Sequence, residues 1–189
     1  MADSVELLLD PASDSFLLDD WAALEAADLP NQSRHQSWSN SPHITLAAAT
    51  RIDDRYDDDL ASAAEGEALR LSGTGLLVFP TRRKFVLARQ VVADVALTGL
   101  HRRIWLALDG VAEPVPTTIR GAWTPHITLA HGLTAAQIAT ALDILRDRPP
   151  EQLTAGVVRR WDSAQKRLVL LGGGGVEWPS GSGGSAADE

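Results

Sequence analysis

Short apolar runs alternate along the chain with segments whose apolar residues recur at helical spacing. The apolar runs predict strands, which lie at residues 5–9, 42–47, 75–79, 85–92, 125–130, 156–161 and 167–171. The helical spacing predicts helices at residues 16–28, 53–71, 93–108 and 134–145. Ser13 or Asp14 is expected to cap the first helix, and Thr134 the last. Polar turns at residues 80–84 and 162–163 join two pairs of these strands into hairpins.

One hexapeptide, Pro-His-Ile-Thr-Leu-Ala, occurs twice, at residues 42–47 and again at residues 125–130. In both halves of the chain the predicted order is helix, loop, hexapeptide strand, helix and hairpin. Two copies predict a two-lobed, pseudo-symmetric domain, because a solenoid needs about three or more repeats. We place the first unit at about residues 1–91 and the second at about residues 92–171. The Gly/Ser-rich residues 172–189 are expected to form a flexible tail.

Composition narrows the classes of partner. The 189 residues include 17 Lys and Arg against 25 Asp and Glu, which gives a net charge of −8. This charge argues against a protein that binds duplex DNA through its phosphates. With no cysteine, the chain has no thiolate metal site and no cysteine nucleophile. It begins without the basic region of a signal peptide, and no apolar run approaches the roughly 18 residues of a membrane helix. We therefore expect a soluble, cytoplasmic protein with no membrane partner.

The repeated hexapeptide places two polar side chains on one face of each strand. Residues i and i+2 of a strand share a face, so His43 lies beside Thr45 and His126 beside Thr128, while the intervening isoleucines point to the opposite face. Two histidines that face each other across a cleft can divide acid and base roles near pH 7. Each threonine hydroxyl can donate a hydrogen bond to a phosphoryl oxygen.

These paired His-x-Thr strands resemble those of the two-histidine (2H) phosphoesterase superfamily, in particular its bacterial 2′-5′ RNA ligase-like, 2′,3′-cyclic phosphodiesterase branch. The resemblance covers residues 5–171, and residues 123–130 have the aromatic-to-Pro-His-x-Thr-Leu cadence typical of the second motif. It implies a bilobal α+β fold in which two antiparallel sheets with outer helices surround a central cleft. It also implies a reaction without metal or cofactor on a 2′,3′-cyclic phosphate or a 2′-linked phosphodiester.

Carried over by motif position, the resemblance makes His43 and His126 the catalytic pair and Thr45 and Thr128 the phosphate-binding residues. One imidazole would take a proton from the attacking water, and the other would protonate the departing ribose oxygen. We take His126 as the base and His43 as the acid. Because the two units are pseudo-symmetric, the sequence leaves the opposite assignment open.

Aromatic and basic residues outside the two motifs are weaker candidates. A tryptophan at the cleft edge could stack on a nucleobase, and an arginine could bind a phosphate through two hydrogen bonds. The tryptophans are Trp38, Trp123 and Trp161, and the arginines are Arg34, Arg82, Arg83 and Arg120. The remaining histidines, His35, His101 and His131, lack the motif context.

The sequence thus predicts a monomeric phosphoesterase that opens 2′,3′-cyclic phosphates or cleaves related phosphodiesters on nucleotides or RNA ends. Four alternatives stay open. The same residues could carry out 2′-5′ ligation of RNA ends. The cleft could bind nucleotides without turning them over. The two His-x-Thr pairs could instead be hydrogen-bonded core residues, or ligands of a metal completed by carboxylates elsewhere in the chain.

Overall fold

Helices and strands of the computed structural model follow the predicted order, and the model describes residues 2–34, 40–148 and 151–173. The strands are β1 (Asp3–Leu9), β2 (His43–Ala49), β3 (Leu69–Pro80), β4 (Phe85–Val91), β5 (His126–Leu133), β6 (Glu151–Asp162) and β7 (Arg167–Gly172). The helices are α1 (Pro11–Ala26), α2 (Asp57–Ala64), α3 (Val95–Ala107) and α4 (Ala135–Leu145). Short 3-10 turns lie at Gln32–Arg34, Asp54–Tyr56 and Pro116–Thr118. The predicted tail lies outside the described residues from residue 174 onward.

Helix ends differ from the predictions where a cap or a glycine decides them. Helix α1 begins at Pro11 because the Asp10 side chain accepts a hydrogen bond from the Ser13 backbone N–H at 2.7 Å, so the predicted caps Ser13 and Asp14 were wrong. Helix α4 is capped by Thr134 as predicted, with Gln137 completing a capping box. The prediction of one helix over residues 53–71 was wrong, since α2 ends before the positive-φ Gly66 and β3 follows.

All seven described strands join one antiparallel sheet in the order β1-β2-β5-β4-β3-β6-β7, and an additional pairing of β1 with β6 closes six of them into a ring. The α+β class is confirmed. The two sheets that the resemblance implies are continuous with each other rather than separate. They meet where the two hexapeptide strands, β2 and β5, pair through Ile44 and Ile127.

Helices cover the face of the sheet that carries the apolar residues of the hexapeptides. Helices α1 and α4 pack on β5, while α2 packs on α3 and on β6 and β7, and α3 also contacts β2. Ile44 and Ile127 are fully buried in the hydrophobic core, as the alternation predicted. Trp21 of α1 donates a hydrogen bond from its indole N–H to the Thr128 carbonyl oxygen at 3.3 Å, which fixes this helix against β5. None of the described helices is long and apolar enough to cross a membrane.

A buried ion pair fixes α1 to the strands beside the hexapeptides. Asp20 of α1 is fully buried, and its carboxylate lies 2.8 Å from Arg89 Nη2 of β4. The other carboxylate oxygen accepts from Arg148 Nε, also at 2.8 Å, just after α4. A buried charge is stable only while its partner is present, so each of these groups depends on the others.

We predict that Asp20→Ala destabilises the protein by about 3–5 kcal/mol, because the buried guanidinium of Arg89 would lose its counter-ion. Urea unfolding followed by circular dichroism measures the effect. The matched control is Glu25→Ala on the same helix, which breaks an exposed ion pair with Arg34. Its unfolding midpoint should stay close to wild type. Equal unfolding midpoints for the two variants would contradict the conclusion that the buried ion pair holds α1 against the sheet.

Candidate active site

The two hexapeptide strands bring the four predicted motif side chains together. Ile44 of β2 lies opposite Ile127 of β5 in antiparallel register. This register sets His43 opposite Thr128 and Thr45 opposite His126. Because neighbouring residues of a strand point to opposite faces, all four polar side chains lie on the face away from the buried isoleucines. The structure thus assembles one polar cluster from two strands that are distant in sequence.

Both histidines are held in the same tautomer. The Nδ1 atom of His43 lies 2.8 Å from the Ser41 carbonyl oxygen, and that of His126 lies 2.7 Å from the Thr124 carbonyl oxygen. A carbonyl oxygen only accepts hydrogen bonds, so each Nδ1 carries the proton and donates. The proline before each histidine favours extended backbone at the residue that supplies the carbonyl. Each Nε2 is therefore left to exchange protons with a substrate.

His126 lies in an apolar setting. It is half-buried, and its ring packs on Phe79 with centroids 4.7 Å apart and planes tilted by 48°. Burial lowers the pKa of His126, and the nearby His43 lowers it further, while the hydrogen bond to the Thr124 carbonyl opposes both. The lowered pKa favours the neutral form of the His126 imidazole at pH 7, which suits a base.

His43 faces a carboxylate instead. The Nε2 atom of His43 lies 3.6 Å from Oε1 of Glu6 on the neighbouring strand β1. Burial alone would raise the pKa of Glu6, but His43, Arg159 and a hydrogen bond from Ser4 together hold it below its ordinary value. Glu6 is thus ionised although it is buried. The sequence analysis did not predict a role for Glu6. The feature that could have indicated one is a single acidic side chain inside the apolar run of residues 5–9.

A cavity of about 300 Å³ opens on the His126 side of the cluster. Its lining combines the motif residues Thr45, His126 and Thr128 with Phe79, Val86, Thr117, Thr118, Ala122, Trp123, Thr124 and His131. This volume is at the lower end of the range for small-molecule sites, and a mostly apolar wall beside a few polar groups is typical of them. His43 lies outside this described lining, so the cavity and the carboxylate flank different histidines.

Trp123 forms a fixed wall of the cavity. Its ring stacks on His101 of α3 with centroids 3.9 Å apart and planes within 7° of parallel. The indole N–H donates to the Thr45 carbonyl oxygen at 2.9 Å. Burial lowers the pKa of His101, against a hydrogen bond to the Thr118 carbonyl oxygen, which keeps this histidine neutral behind the tryptophan. The position of Trp123 beside the motif was predicted, whereas the contribution of His101 was not.

The other predicted candidates that the structure describes are not brought to this cavity. Arg34 forms ion pairs with Glu25 and Asp28 at 2.9 and 2.8 Å. Trp161 lies on β6 and Arg120 is exposed, and neither belongs to the described cavity lining. Arg82 and Arg83 are exposed between β3 and β4. Trp38 and His35 lie outside the described residues. Within residues 2–34, 40–148 and 151–173, no group of three His, Asp or Glu side chains could hold a metal ion.

With the geometry established, comparison with known proteins places the chain in a family. Residues 14–167 match the family model of the 2′-5′ RNA ligase superfamily, and the chain belongs to this superfamily. The resemblance to two-histidine phosphoesterases is thereby confirmed. Superfamily membership supports phosphoesterase or ligase-type activity. No curated protein sequence matches the chain.

Two solved structures share the fold. The structure of Kluyveromyces marxianus Usb1 with uridine monophosphate is 11% identical, with a TM-score of 0.51, and the match covers 90% of this chain and 98% of that one. The crystal structure of TT0787 from Thermus thermophilus is 15% identical, with a TM-score of 0.56, and the match covers 90% of this chain and 95% of that one. At these identities the likeness establishes the fold.

Asp14, in the first turn of α1, carries a half-buried carboxyl group. Its Oδ1 is buried and has no hydrogen-bond partner in the described part of the chain. Burial raises the pKa of Asp14 to about 6, although Arg159 opposes the shift. Between the ordinary carboxyl pKa and pH 6 the folded state therefore holds a proton that the unfolded state has lost. The contribution of Asp14 to the free energy of unfolding therefore falls as the pH rises through that interval.

We predict that Asp14→Asn, which imitates the protonated carboxyl, raises the thermal unfolding midpoint at pH 8 and leaves it nearly unchanged at pH 4. The difference between variant and wild type should develop as the pH rises from 4 to about 6. Thermal scans across this range measure it. A constant difference at every pH would show that the substitution acts through packing and not through the charge.

Proposed function

We propose that this protein is a metal-independent phosphoesterase that opens 2′,3′-cyclic phosphates or cleaves related phosphodiesters on nucleotides or RNA ends. One observation carries the proposal. Two histidines whose Nδ1 atoms bond to backbone carbonyl oxygens lie on adjacent strands, each across from a threonine, and their electrostatic surroundings differ. Acid–base catalysis needs such a pair with one neutral and one protonated member, whereas nucleotide binding alone does not.

The chemistry follows from the four motif side chains. Neutral His126 accepts a proton at Nε2 from the water that attacks phosphorus, while protonated His43 gives its Nε2 proton to the departing ribose oxygen. One P–O bond forms as the other breaks, and the two imidazoles exchange protonation states. The hydroxyls of Thr45 and Thr128 donate to the non-bridging oxygens, where negative charge accumulates in the transition state.

The cavity supports a nucleoside as the part of the substrate that is recognised. Trp123 and Phe79 present aromatic surface beside His126, and bases stack on such surfaces with little dependence on sequence. The Usb1 structure holds uridine monophosphate on the same fold, which supports a nucleotide ligand here. The net charge of −8 favours a small or single-stranded substrate over a duplex.

Ligation of RNA ends is the second candidate, and the description of the matching family favours it. In that reaction the 5′-hydroxyl of an RNA end replaces water as the nucleophile. The same base deprotonates it and the same acid protonates the departing ribose oxygen, so the two reactions differ in the acceptor. Adding an oligonucleotide with a 5′-hydroxyl to a cyclic-phosphate substrate distinguishes them through the appearance of a 2′-5′-linked product.

The first test is hydrolysis of the four nucleoside 2′,3′-cyclic monophosphates in the presence of EDTA. We expect full activity there, and a loss of about 10²–10⁴-fold in kcat for His43→Ala and for His126→Ala, because each removes one proton-transfer group. His35→Ala, which alters a histidine outside both motifs, is the control and should retain activity. Loss of activity in EDTA, or turnover that survives both substitutions, would contradict the proposal. Nucleotide affinity without any turnover would instead favour a binding module.

The second test concerns the cavity wall. Trp123→Leu should raise KM about tenfold with a smaller effect on kcat, because loss of one base–aromatic stack weakens binding by a factor of this order. Trp161→Leu removes a tryptophan of β6 that does not line the cavity and should leave KM near wild type. Steady-state kinetics on one cyclic nucleotide measure both variants. An equal KM for the two would argue that the nucleoside binds elsewhere.

A further inference from the structure

The repeat is broken beside the motif threonines. In the first unit Glu6 of β1 lies opposite Thr45, and in the second unit Ala88 of β4 lies opposite Thr128. These two positions correspond in the repeat, since each is the cross-strand neighbour of the motif threonine on the strand that flanks it. A carboxylate therefore lies next to one histidine strand, and a methyl group occupies the equivalent place beside the other.

Glu6 is held in a defined position. Its Oε2 accepts a hydrogen bond from Arg159 Nε at 2.7 Å, and its Oε1 accepts one from the Ser4 hydroxyl at 2.6 Å. Oε1 is also the atom that lies 3.6 Å from Nε2 of His43. Since both Glu6 and Arg159 are buried, their charges are only weakly screened by water. The carboxylate therefore cannot turn away from His43 without leaving both hydrogen bonds.

We propose that Glu6 is a positioning residue that keeps His43 protonated, so that His43 serves as the acid and His126 as the base. The inference rests on the proposed function. It assigns the acid and base roles that the repeated motif leaves open. The two hexapeptides are identical in sequence, whereas the residue opposite the motif threonine differs between the two units. A proton on His126 instead of His43 would leave the buried carboxylate of Glu6 facing a neutral imidazole.

Other charged groups around His43 modify this effect without reversing it. Arg159 of β6 offsets part of the Glu6 charge but bonds to the far oxygen, Oε2. Asp14 of α1 interacts with Arg159, and His126 of β5 adds a positive charge only when it is protonated. Among the described residues, the charged group that faces Nε2 of His43 is thus the carboxylate of Glu6, through its oxygen Oε1. An opposite charge at this distance favours the protonated imidazole.

The test is the pH–rate profile of Glu6→Gln, a substitution that keeps the size of the side chain. We expect the alkaline limb of kcat, where the acid loses its proton, to move to lower pH by about one unit. The acidic limb, where the base becomes protonated, should stay in place. At pH 8 this corresponds to a loss of up to about tenfold in kcat, with little loss near pH 6.

Two further variants separate charge from structure. Asp3→Asn alters another buried carboxylate of β1, which accepts hydrogen bonds from the backbone of Ile52 and Ser163, and neither limb should move. Arg159→Gln removes the offsetting positive charge, so the alkaline limb should move to higher pH. Because this shift has the opposite sign, general loosening of the site cannot imitate it. If Glu6→Gln fails to fold, Arg159→Gln decides the question alone.

The inference is overturned if the alkaline limb stays at the wild-type pH in Glu6→Gln, or if the acidic limb moves in its place. Failure of the proposed function is recognised separately, as absence of turnover by the wild type. In that case NMR titration of the imidazole signals without substrate, assigned with His43→Ala, still tests Glu6. At pH 7 the signals of the His43 ring should lie nearer to those of a neutral imidazole in Glu6→Gln than in the wild type, and unchanged signals overturn the inference.

Discussion

The pairing of Ile44 with Ile127 is the constraint on which the site depends. Both side chains are fully buried beneath the helices, so the apolar core fixes which face of each strand points outward. A slip of one residue would turn the histidines into the core and expose the isoleucines. The free-energy cost of that exchange keeps the two strands in the observed register. The arrangement of the four motif side chains is thus specified by residues on the opposite, buried face of the two strands.

The surroundings of the two motifs come from different parts of the chain, and this converts a symmetric repeat into an asymmetric site. Strand β1 supplies Glu6 to the first motif, while β3 supplies Phe79 to the second. A duplicated motif produces two equal imidazoles, yet proton transfer in one direction requires unequal ones. The inequality arises from neighbours outside the repeated hexapeptide, so the hexapeptide alone could not reveal it.

The sequence predicted what depends on local pattern. Strand alternation placed the motif side chains on one face, and Thr134 with Gln137 marked the start of α4. It did not predict contacts that depend on which strands become neighbours. Glu6 and Arg159 meet across β1 and β6, which no local signal pairs. The end of α2 was missed because alanine-rich residues 61–64 continue a helical pattern that the following glycine terminates.

Trp123 links the cavity to the strand of the first motif, because it contacts both units. It precedes the second motif in sequence, yet its indole N–H bonds to the backbone of Thr45 in the first. The ring of His101 stacks on one face of the indole. Because of these two contacts, the tryptophan cannot shift without disturbing the strand that carries His43. A nucleoside resting against this wall would therefore be held at a fixed distance from both imidazoles. Proton transfer over about 3 Å needs that fixed geometry, which supports treating the cavity and the histidine pair as one site.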